Sequence, residues 1–336
     1  MRILEHTTID RAAWSRLVQK SETGTWFQSP QAYDFLATQP YLLKPFVMAV
    51  EDQQQLRAVC VGYVTQERRT WKQIFTRRAV IIGGPAVARD CTIAELSFLM
   101  QHVREEISSQ AIYLETRNFH DFSLWSKAFE QAGWTYCPHY NFHIACDDEH
   151  ALWARLSETR RRQIRKARKT GVTIDVHPSE QDVKDWYLIL SDLYRTRVKT
   201  PLFPLDFFLS FYRQNVGQYL MVKYEGNVIG GMMCPIQEGK CIYEWFVCGL
   251  DAEYKEQYPS VMATYAAMEY GVQKKLPLFD VMGAGVPNIP YGVRDFKAEF
   301  GGRLVEHGRY RFIAKPLLFR LGEWGVKWLK RSVLNL

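Results

Sequence analysis

The stretch Phe279-Asp-Val-Met-Gly283-Ala-Gly285-Val-Pro-Asn-Ile-Pro-Tyr-Gly-Val-Arg-Asp-Phe296-Lys297-Ala-Glu-Phe300-Gly301-Gly302 decides how the chain is read. An apolar strand over Leu278–Met282 runs into a Gly-Ala-Gly turn. A proline-broken loop, a short amphipathic helix and a Gly-Gly stop follow. Glycines at these points permit backbone conformations closed to other residues and let a ligand come close to the main chain. Inside that frame stands one basic helix residue, Lys297, between Phe296 and Phe300. It is either a solvated charge or a fixed cation aimed into a cleft.

Working outward, strand and helix signals recur in one order in both halves. In the second half a helix over Leu205–Gln214 precedes strand Tyr219–Tyr224, a Gly-Asn turn and strand Val228–Ile236. Strand Cys241–Cys248, helix Ser260–Gln273 and strand Leu278–Met282 come next. In the first half, helix Pro30–Ala37 precedes strands Phe46–Val50, Leu56–Thr65 and Arg78–Ile82, then helix Ile93–Ser108 and strand Ala111–Thr116. The strand pairs rest on turn residues set between β-branched or aromatic runs. The helices rest on apolar spacing such as Leu96, Leu99, Met100, Val103 and Ile107. Alternation along Cys241–Cys248 puts Tyr243 and Trp245 on one face and Glu244 and Phe246 on the other.

A length of 336 residues suits two domains. The polar break at Asp147-Asp-Glu-His150 divides them into 1–147 and 148–314. Residues 315–336 form a separate terminal helix, with Leu317, Leu318, Leu321, Trp324, Trp328 and Leu329 at helical spacing. Two readings stand for that helix: packing back onto the first domain, or lying on an anionic membrane surface. Hydrophobic content of 47% and charged content of 24% support a sizeable core and exclude wholesale disorder. The net charge of +7 suits a polyanion without choosing among RNA, a nucleotide pyrophosphate and an acidic membrane. No apolar run approaches the roughly 20 residues of a membrane span. The start, Met1-Arg-Ile-Leu-Glu-His6, lacks the apolar core of a signal peptide. Seven cysteines without a Cys-x-x-Cys pair point to a reduced, cytoplasmic protein.

The strongest charge feature is Trp153-Ala-Arg-Leu-Ser-Glu-Thr-Arg160-Arg-Arg-Gln-Ile-Arg165-Lys-Ala-Arg168-Lys169-Thr-Gly171, read as one helix. Trp153, Leu156, Ile164 and Ala167 mark a narrow buried stripe. The cations around it repel one another unless a polyanion relieves them, so phosphate contact is one reading. A solvated charge run capped by Gly171 is the other. Between two helices, Tyr194-Arg-Thr-Arg197-Val-Lys199-Thr-Pro201 offers guanidinium forks of the kind that bind phosphate. Cys137, His139, His143 and Cys146 suggest a metal site only superficially. As a strand, at about 3.3 Å per residue, their ends lie too far apart for one tetrahedral ion, and no metal is expected.

The ordered string Phe-Lys-x-x-Phe-Gly-Gly after a glycine-turn strand resembles the end of the FemABX family, the peptidoglycan interpeptide-bridge aminoacyltransferases. The block Arg161, Ile164, Arg165, Ala167, Lys169, Gly171 is similar to the opening of that family's second domain. The resemblance implies an α/β (α+β) fold of two GNAT-like, acetyltransferase-type domains, each a mixed sheet flanked by helices. It implies an acyltransferase with aminoacyl-tRNA as donor and an amine of a peptidoglycan precursor as acceptor. Lys297 would then be catalytic, stabilising the oxyanion. Phe296, Arg161, Arg165 and Lys169 would hold the tRNA, and Arg197, Tyr243, Trp245 and Glu115 the acceptor. The protein would be cytoplasmic, with peripheral contact to the inner membrane face left open.

Departures from the family pattern are also visible. Trp245 replaces a tyrosine, and Tyr33 and Ala37 follow Gln28-Ser29 where the family carries Trp and a phosphate-holding Lys. CoA-dependent GNAT enzymes bind pyrophosphate in a glycine-bearing loop at a helix N-terminus. Here Glu256-Gln-Tyr-Pro-Ser-Val-Met-Ala263 has no glycine, so no cofactor is expected. Two alternatives remain: an N-acyltransferase with a CoA or carrier donor acting on a sugar or polysaccharide, and a non-enzymatic module binding RNA or a membrane surface.

Overall fold

The computed structural model describes residues 1–39, 43–65 and 77–322. The chain opens with β1 (Arg2–Glu5), α1 (Arg11–Lys20), α2 (Pro30–Ala37), β2 (Leu43–Asp52), β3 (Gln55–Thr65), β4 (Arg78–Gly83) and β5 (Ala86–Val87). Then come α3 (Ile93–Ser108), β6 (Tyr113–Asn118), α4 (Ser126–Gln131) and β7 (Thr135–Cys137). A second run follows: β8 (Tyr140–Ala145), α5 (Glu149–Arg155), α6 (Glu158–Lys169), β9 (Thr173–Asp175), α7 (Glu180–Leu193) and α8 (Leu205–Arg213). It continues through β10 (Gly217–Tyr224), β11 (Asn227–Gln237), β12 (Cys241–Tyr243), β13 (Phe246–Gly249) and α9 (Pro259–Gln273). It closes with β14 (Leu278–Asp280), α10 (Gly292–Ala298) and β15 (Arg303–Glu306), before β16 (Arg309–Ile313) ends the strands.

Two compact units result: residues 1–138 with 307–336, and residues 139–306. The chain changes unit upstream of the polar break read from the sequence at Asp147–His150, and the reason is strand pairing. β8 precedes that break, yet it pairs with β14 and β15 of the second unit. β16 lies upstream of residue 315, yet it pairs with β6 and β7 of the first. Of the terminal helix, residues 316–322 are helical and belong to the first unit, where Phe319 packs edge-on against Tyr113. Trp324, Trp328 and Leu329 lie outside the described residues.

Each unit is a mixed sheet flanked by helices. In the first, the order is β1-β2-β3-β4-β6-β16-β7, antiparallel except for the parallel pair β4 and β6. α3 buries the stripe Leu96, Leu99, Met100, Val103 and Ile107 against that sheet, as its spacing predicts. In the second, the order is β15-β8-β14-β12-β11-β10-β9, with β12 and β14 parallel. α9 is apolar nearly all round, and ten of its residues are buried. It is the central helix of that core.

Glu115 on β6 shows how one unit ties its strands. Its carboxylate accepts from Arg309 at 2.9 Å and Arg311 at 2.5 Å, both on β16, and from Arg117 at 3.3 Å. Burial opposes the ionised form, but the guanidinium groups prevail and hold the Glu115 carboxyl down at about 2. The folded-state value lies below the unfolded one near 4.5. The stabilisation is therefore complete above pH 4.5 and is lost as pH falls through that window towards 2. It amounts to about 3 kcal/mol. Urea titrations at pH 7, 4 and 3 should show this acid-sensitive component in the wild type and its loss in Glu115→Gln. Parallel pH profiles for the two proteins would contradict the assignment.

Candidate active site

The second sheet splits where β12 and β14 end. β14 pairs with β12 only from Leu278 to Asp280. Beyond it the chain stays with β8: Val281 N donates to Phe142 O, and Ala284 N to Tyr140 O. On the other side, β13 stays with β11 from Gly230 to Met233. Two neighbouring strands thus follow different partners and must part. Among the described residues β13 has no strand on its far edge. The first unit makes no such fork, because β4 and β6 pair without interruption from Arg78–Tyr113 to Gly83–Asn118.

A bulge sits at the point of parting. The outer strand spends one residue more between Ile242 and Phe246 than β11 does between Met233 and Ile236. This corrects the alternation expected for Cys241–Cys248. Trp245 and Phe246 both meet the aromatic face of α8, at 5.5 Å and 6.4 Å from Phe207. Tyr243 is buried. Glu244 is turned into the interior, and its backbone N–H donates to Asp280 O.

Lys297 comes up from α10 into this fork. Its Nζ donates to Val281 O at 2.7 Å and Gly283 O at 3.0 Å, and stands 2.7 Å from Glu244 Oε1. An ammonium group has three donors, and all three are engaged. Lys297 is therefore neither a solvated charge nor a bare cation pointing into a cleft. Its counter-ion is Glu244, whose carboxyl burial pushes up and Lys297 pulls back down. Beside the pair, Asn141 Nδ2 donates to Asp280 Oδ1 at 2.8 Å, and His143 Nε2 stands 3.2 Å from Asp280 Oδ2. The Gly-Ala-Gly turn is pinned by side chains. Met282 N donates to Asp280, Gly283 N to Asn141, and Arg294 Nε to the Ala284 carbonyl. Gly283 holds φ of 130° and Gly285 of 82°, which explains the glycines.

α10 is fastened from below by the start of the basic helix. That segment is two helices, corrected from one. It breaks at Leu156–Ser157, where Ser157 adopts extended backbone and caps α6 by accepting from Arg160 N. Arg160 is buried. It donates to Phe296 O at 3.3 Å, and its guanidinium lies 4.4 Å over the Phe296 ring and 5.1 Å over Phe300. Gly301 holds φ of 77° with Arg155 O so close that a Cβ would clash.

The remaining sequence-selected residues distribute as follows. Phe296 is half-buried beside Lys297. Arg161, Arg165 and Lys169 lie on the outward flank of α6, with no acidic partner among the described ion pairs; Arg165 lies 5.2 Å over Trp153. Lys166 and Arg168 of the same helix are paired, with Glu256 and Glu269. Arg197 stands exposed on the π-helical turn Tyr194–Val198, whose Tyr194 ring is 6.3 Å from Phe246. Glu115 belongs to the first unit, where the three arginines engage its carboxylate. Sequence reasoning missed Glu244 as partner of Lys297, and with it Asp280, Asn141 and Arg160. Each acts through a contact distant in sequence, and only the bulge and the buried arginine left any local trace.

The helix N-termini following both meanders are partly capped by the chain's own side chains. At α9, Asp251 accepts from Ser260 N at 3.1 Å and from Ser260 Oγ, and Pro259 removes one amide. At α3, Thr92 and Glu95 form a reciprocal capping box. A pyrophosphate binds such an N-terminus through free amides, and Ser260 N and Glu95 N are already engaged.

Residues 154–298 match the family described as the Acetyltransferase (GNAT) domain. No curated protein matches the chain in sequence. Among solved structures, FemX superposes with a TM-score of 0.72 at 13% identity, over 96% of this chain and 99% of that one. L-PGS from Bacillus licheniformis gives 0.58 at 11% identity over 94% and 96%. A tandem GNAT protein from the clavulanic acid biosynthesis pathway gives 0.54 at 11% over 93% and 98%. The chain thus has the fold of FemX and of tandem GNAT proteins, two GNAT-like α/β units in one chain, and residues 154–298 carry the acetyltransferase (GNAT) domain match.

If the Lys297–Glu244 pair is the pin of the fork, Lys297→Met strands a buried carboxylate and should cost about 3–5 kcal/mol of stability. Adding Glu244→Gln should recover part of that loss, so the two effects do not sum. Additive losses in urea unfolding would show that the pair is not coupled.

Proposed function

We propose that the chain is an acyltransferase that moves an amino acid from aminoacyl-tRNA to an amine of a peptidoglycan precursor, with the fork of the second unit as its reaction centre. The observation that carries this reading is the fork pinned by Lys297 and Glu244, together with helix N-termini partly capped by their own side chains. The fork offers an acyl group an unpaired strand edge beside a fixed ammonium group. The partial capping leaves a CoA pyrophosphate fewer free amides than its usual hold needs. The resemblance of the Phe296–Gly302 and Arg161–Gly171 blocks to FemABX motifs supports the choice of a tRNA-borne donor.

In the reaction the neutral amine attacks the ester carbonyl, and the new N–C bond forms as the ester C–O bond breaks. The tRNA ribose hydroxyl leaves with the proton given up by the amine. Negative charge develops on the carbonyl oxygen, and a preorganised cation near it lowers the barrier. On this reading Lys297 acts through the field of its ammonium group and not by a hydrogen bond to the oxyanion. Its three donors hold Val281, Gly283 and Glu244, Glu244 offsets part of its charge, and the fork it positions needs no reorganisation as the reaction proceeds. Phe296 offers an apolar surface for the terminal adenosine, and Arg161, Arg165 and Lys169 offer unpaired cations to the tRNA phosphates. On this reading Arg197, Tyr243 and Trp245 border the acceptor, and the reaction belongs in the cytoplasm. Among the described residues no helix is long and apolar enough to cross a membrane.

The rival is an N-acyltransferase using acyl-CoA on a sugar or polysaccharide amine, a reading favoured by the description of the matched family. Equilibrium titration separates the two. Aminoacyl-tRNA, or a charged acceptor-stem mimic, should raise the melting temperature saturably, while acetyl-CoA should not shift it. A micromolar dissociation constant for acetyl-CoA would overturn the tRNA reading and establish the rival.

A further inference from the structure

The first unit gathers more positive charge around Glu115 than its fold requires. Arg311 faces Glu115 directly across β16 and β6. Arg117 shares Glu115's face of β6 and Arg309 shares that of Arg311, since residues two apart on a strand point the same way. The opposite face of the same strands carries Leu114 and Tyr310 into the core. Three guanidinium groups thus contact one carboxylate, and Arg78 on β4 also feels its charge, so positive charge is in excess there.

One arginine would satisfy the carboxylate. Both of its oxygens are taken: Oε1 accepts from Arg309 and Arg117, and Oε2 from Arg311. With both oxygens engaged, Glu115 presents its charge through the three arginines. Like charges side by side on neighbouring strands repel. Burial pushes the Arg309 guanidinium down, Glu115 raises it, and Arg117 and Arg311 push it down again. The floor of the cluster is buried, with Glu115 at 2% exposure. The arginine side chains are still reachable, at 34% for Arg117, 23% for Arg309 and 28% for Arg311. Arg311 is also held flat, its guanidinium 5.5 Å over Tyr113 and 5.8 Å over Phe319. Each guanidinium carries five donors in a fixed plane, so Arg117 and Arg311 retain N–H groups beyond those given to Glu115.

We propose that Arg117, Arg309 and Arg311 form a binding site in the first unit for a doubly charged phosphoryl group, with Glu115 as the internal counter-ion that orders the three arginines. A phosphoryl dianion meets the excess positive charge, and planar forks bind phosphate oxygens in pairs. The site lies wholly in the first unit and stands apart from the acyl-transfer reading, so it is tested by binding alone.

The experiment is calorimetric titration of the full chain with inorganic pyrophosphate at low ionic strength. The wild type should bind saturably. Arg117→Gln removes the most exposed guanidinium and should weaken binding roughly tenfold or more, the usual scale for a charge-assisted hydrogen bond. Glu115→Gln removes the internal rival and should tighten binding, the opposite of what a substrate-holding carboxylate would show. Should Glu115→Gln not fold, Arg311→Lys, which keeps the pair but loses the planar fork, should weaken binding instead. Replacing Arg161, Arg165 and Lys169 together with Gln should leave the titration unchanged. Competition by a nucleoside diphosphate would identify a free nucleotide as the source of the group. Arg117-dependent binding to phosphatidic acid vesicles, whose phosphomonoester can carry two charges, would identify a lipid headgroup, and both outcomes uphold the site. Affinity unchanged in Arg117→Gln, or abolished by the triple replacement in the other unit, would overturn it.

Discussion

The second unit depends on one buried ion pair at the place where its sheet divides. Parting two strands leaves backbone carbonyls without ladder partners, and an unpaired buried carbonyl is costly. Lys297 answers for two of them, at Val281 and Gly283, and Glu244 balances its charge. A lysine suits this task because three donors on one small group reach three acceptors that no backbone amide faces. The pair also explains the bulge, since Glu244 reaches the interior only because the strand spends an extra residue there. Arg160 extends the same construction outward by holding the carbonyl of Phe296 and covering its ring.

The two units then differ in how their sheets are closed. Both carry a meander, a helix and a parallel strand pair, so the plan is the same. In the first unit β4 and β6 are zipped along their length, and Gln28 bonds the carbonyls of Val61 and Ile82 between β3 and β4. Nothing can enter a closed ladder, so that unit offers its sheet face rather than a fork. The second unit keeps the fork open. A repeated layout thus leaves one unit with a divided sheet and the other with a closed one, a difference that follows from strand pairing.

Much of this was legible in the sequence. The periodicity of α3, the apolar run of α9 and the turn residues of the meanders gave the repeated layout, and the glycines at 283, 285 and 301 marked positive-φ backbone, with a close approach of Arg155 O at Gly301. The break at Ser157 was legible in principle, because a serine before Glu158 is an N-cap signal, but the charge run around it reads as one helix. What the sequence could not carry was pairing across distance. The Glu244–Lys297 contact joins a bulge to a helix far downstream, and neither residue type announces the other. Glu115 illustrates the same limit: its acidity was visible, but its saturation by Arg309 and Arg311 depends on β16 returning to the first sheet.

The most direct test of the account is to find where the donor's end lies. A stable amide analogue of an aminoacylated adenosine, carrying a photoreactive group on its acyl side chain, can be cross-linked to the intact protein and the adducts mapped by mass spectrometry. The account predicts adducts on the fork, in the peptides holding residues 244–249 and 281–297, suppressed by excess uncharged analogue of the tRNA end. Adducts confined to the first unit, or spread without saturation, would contradict it.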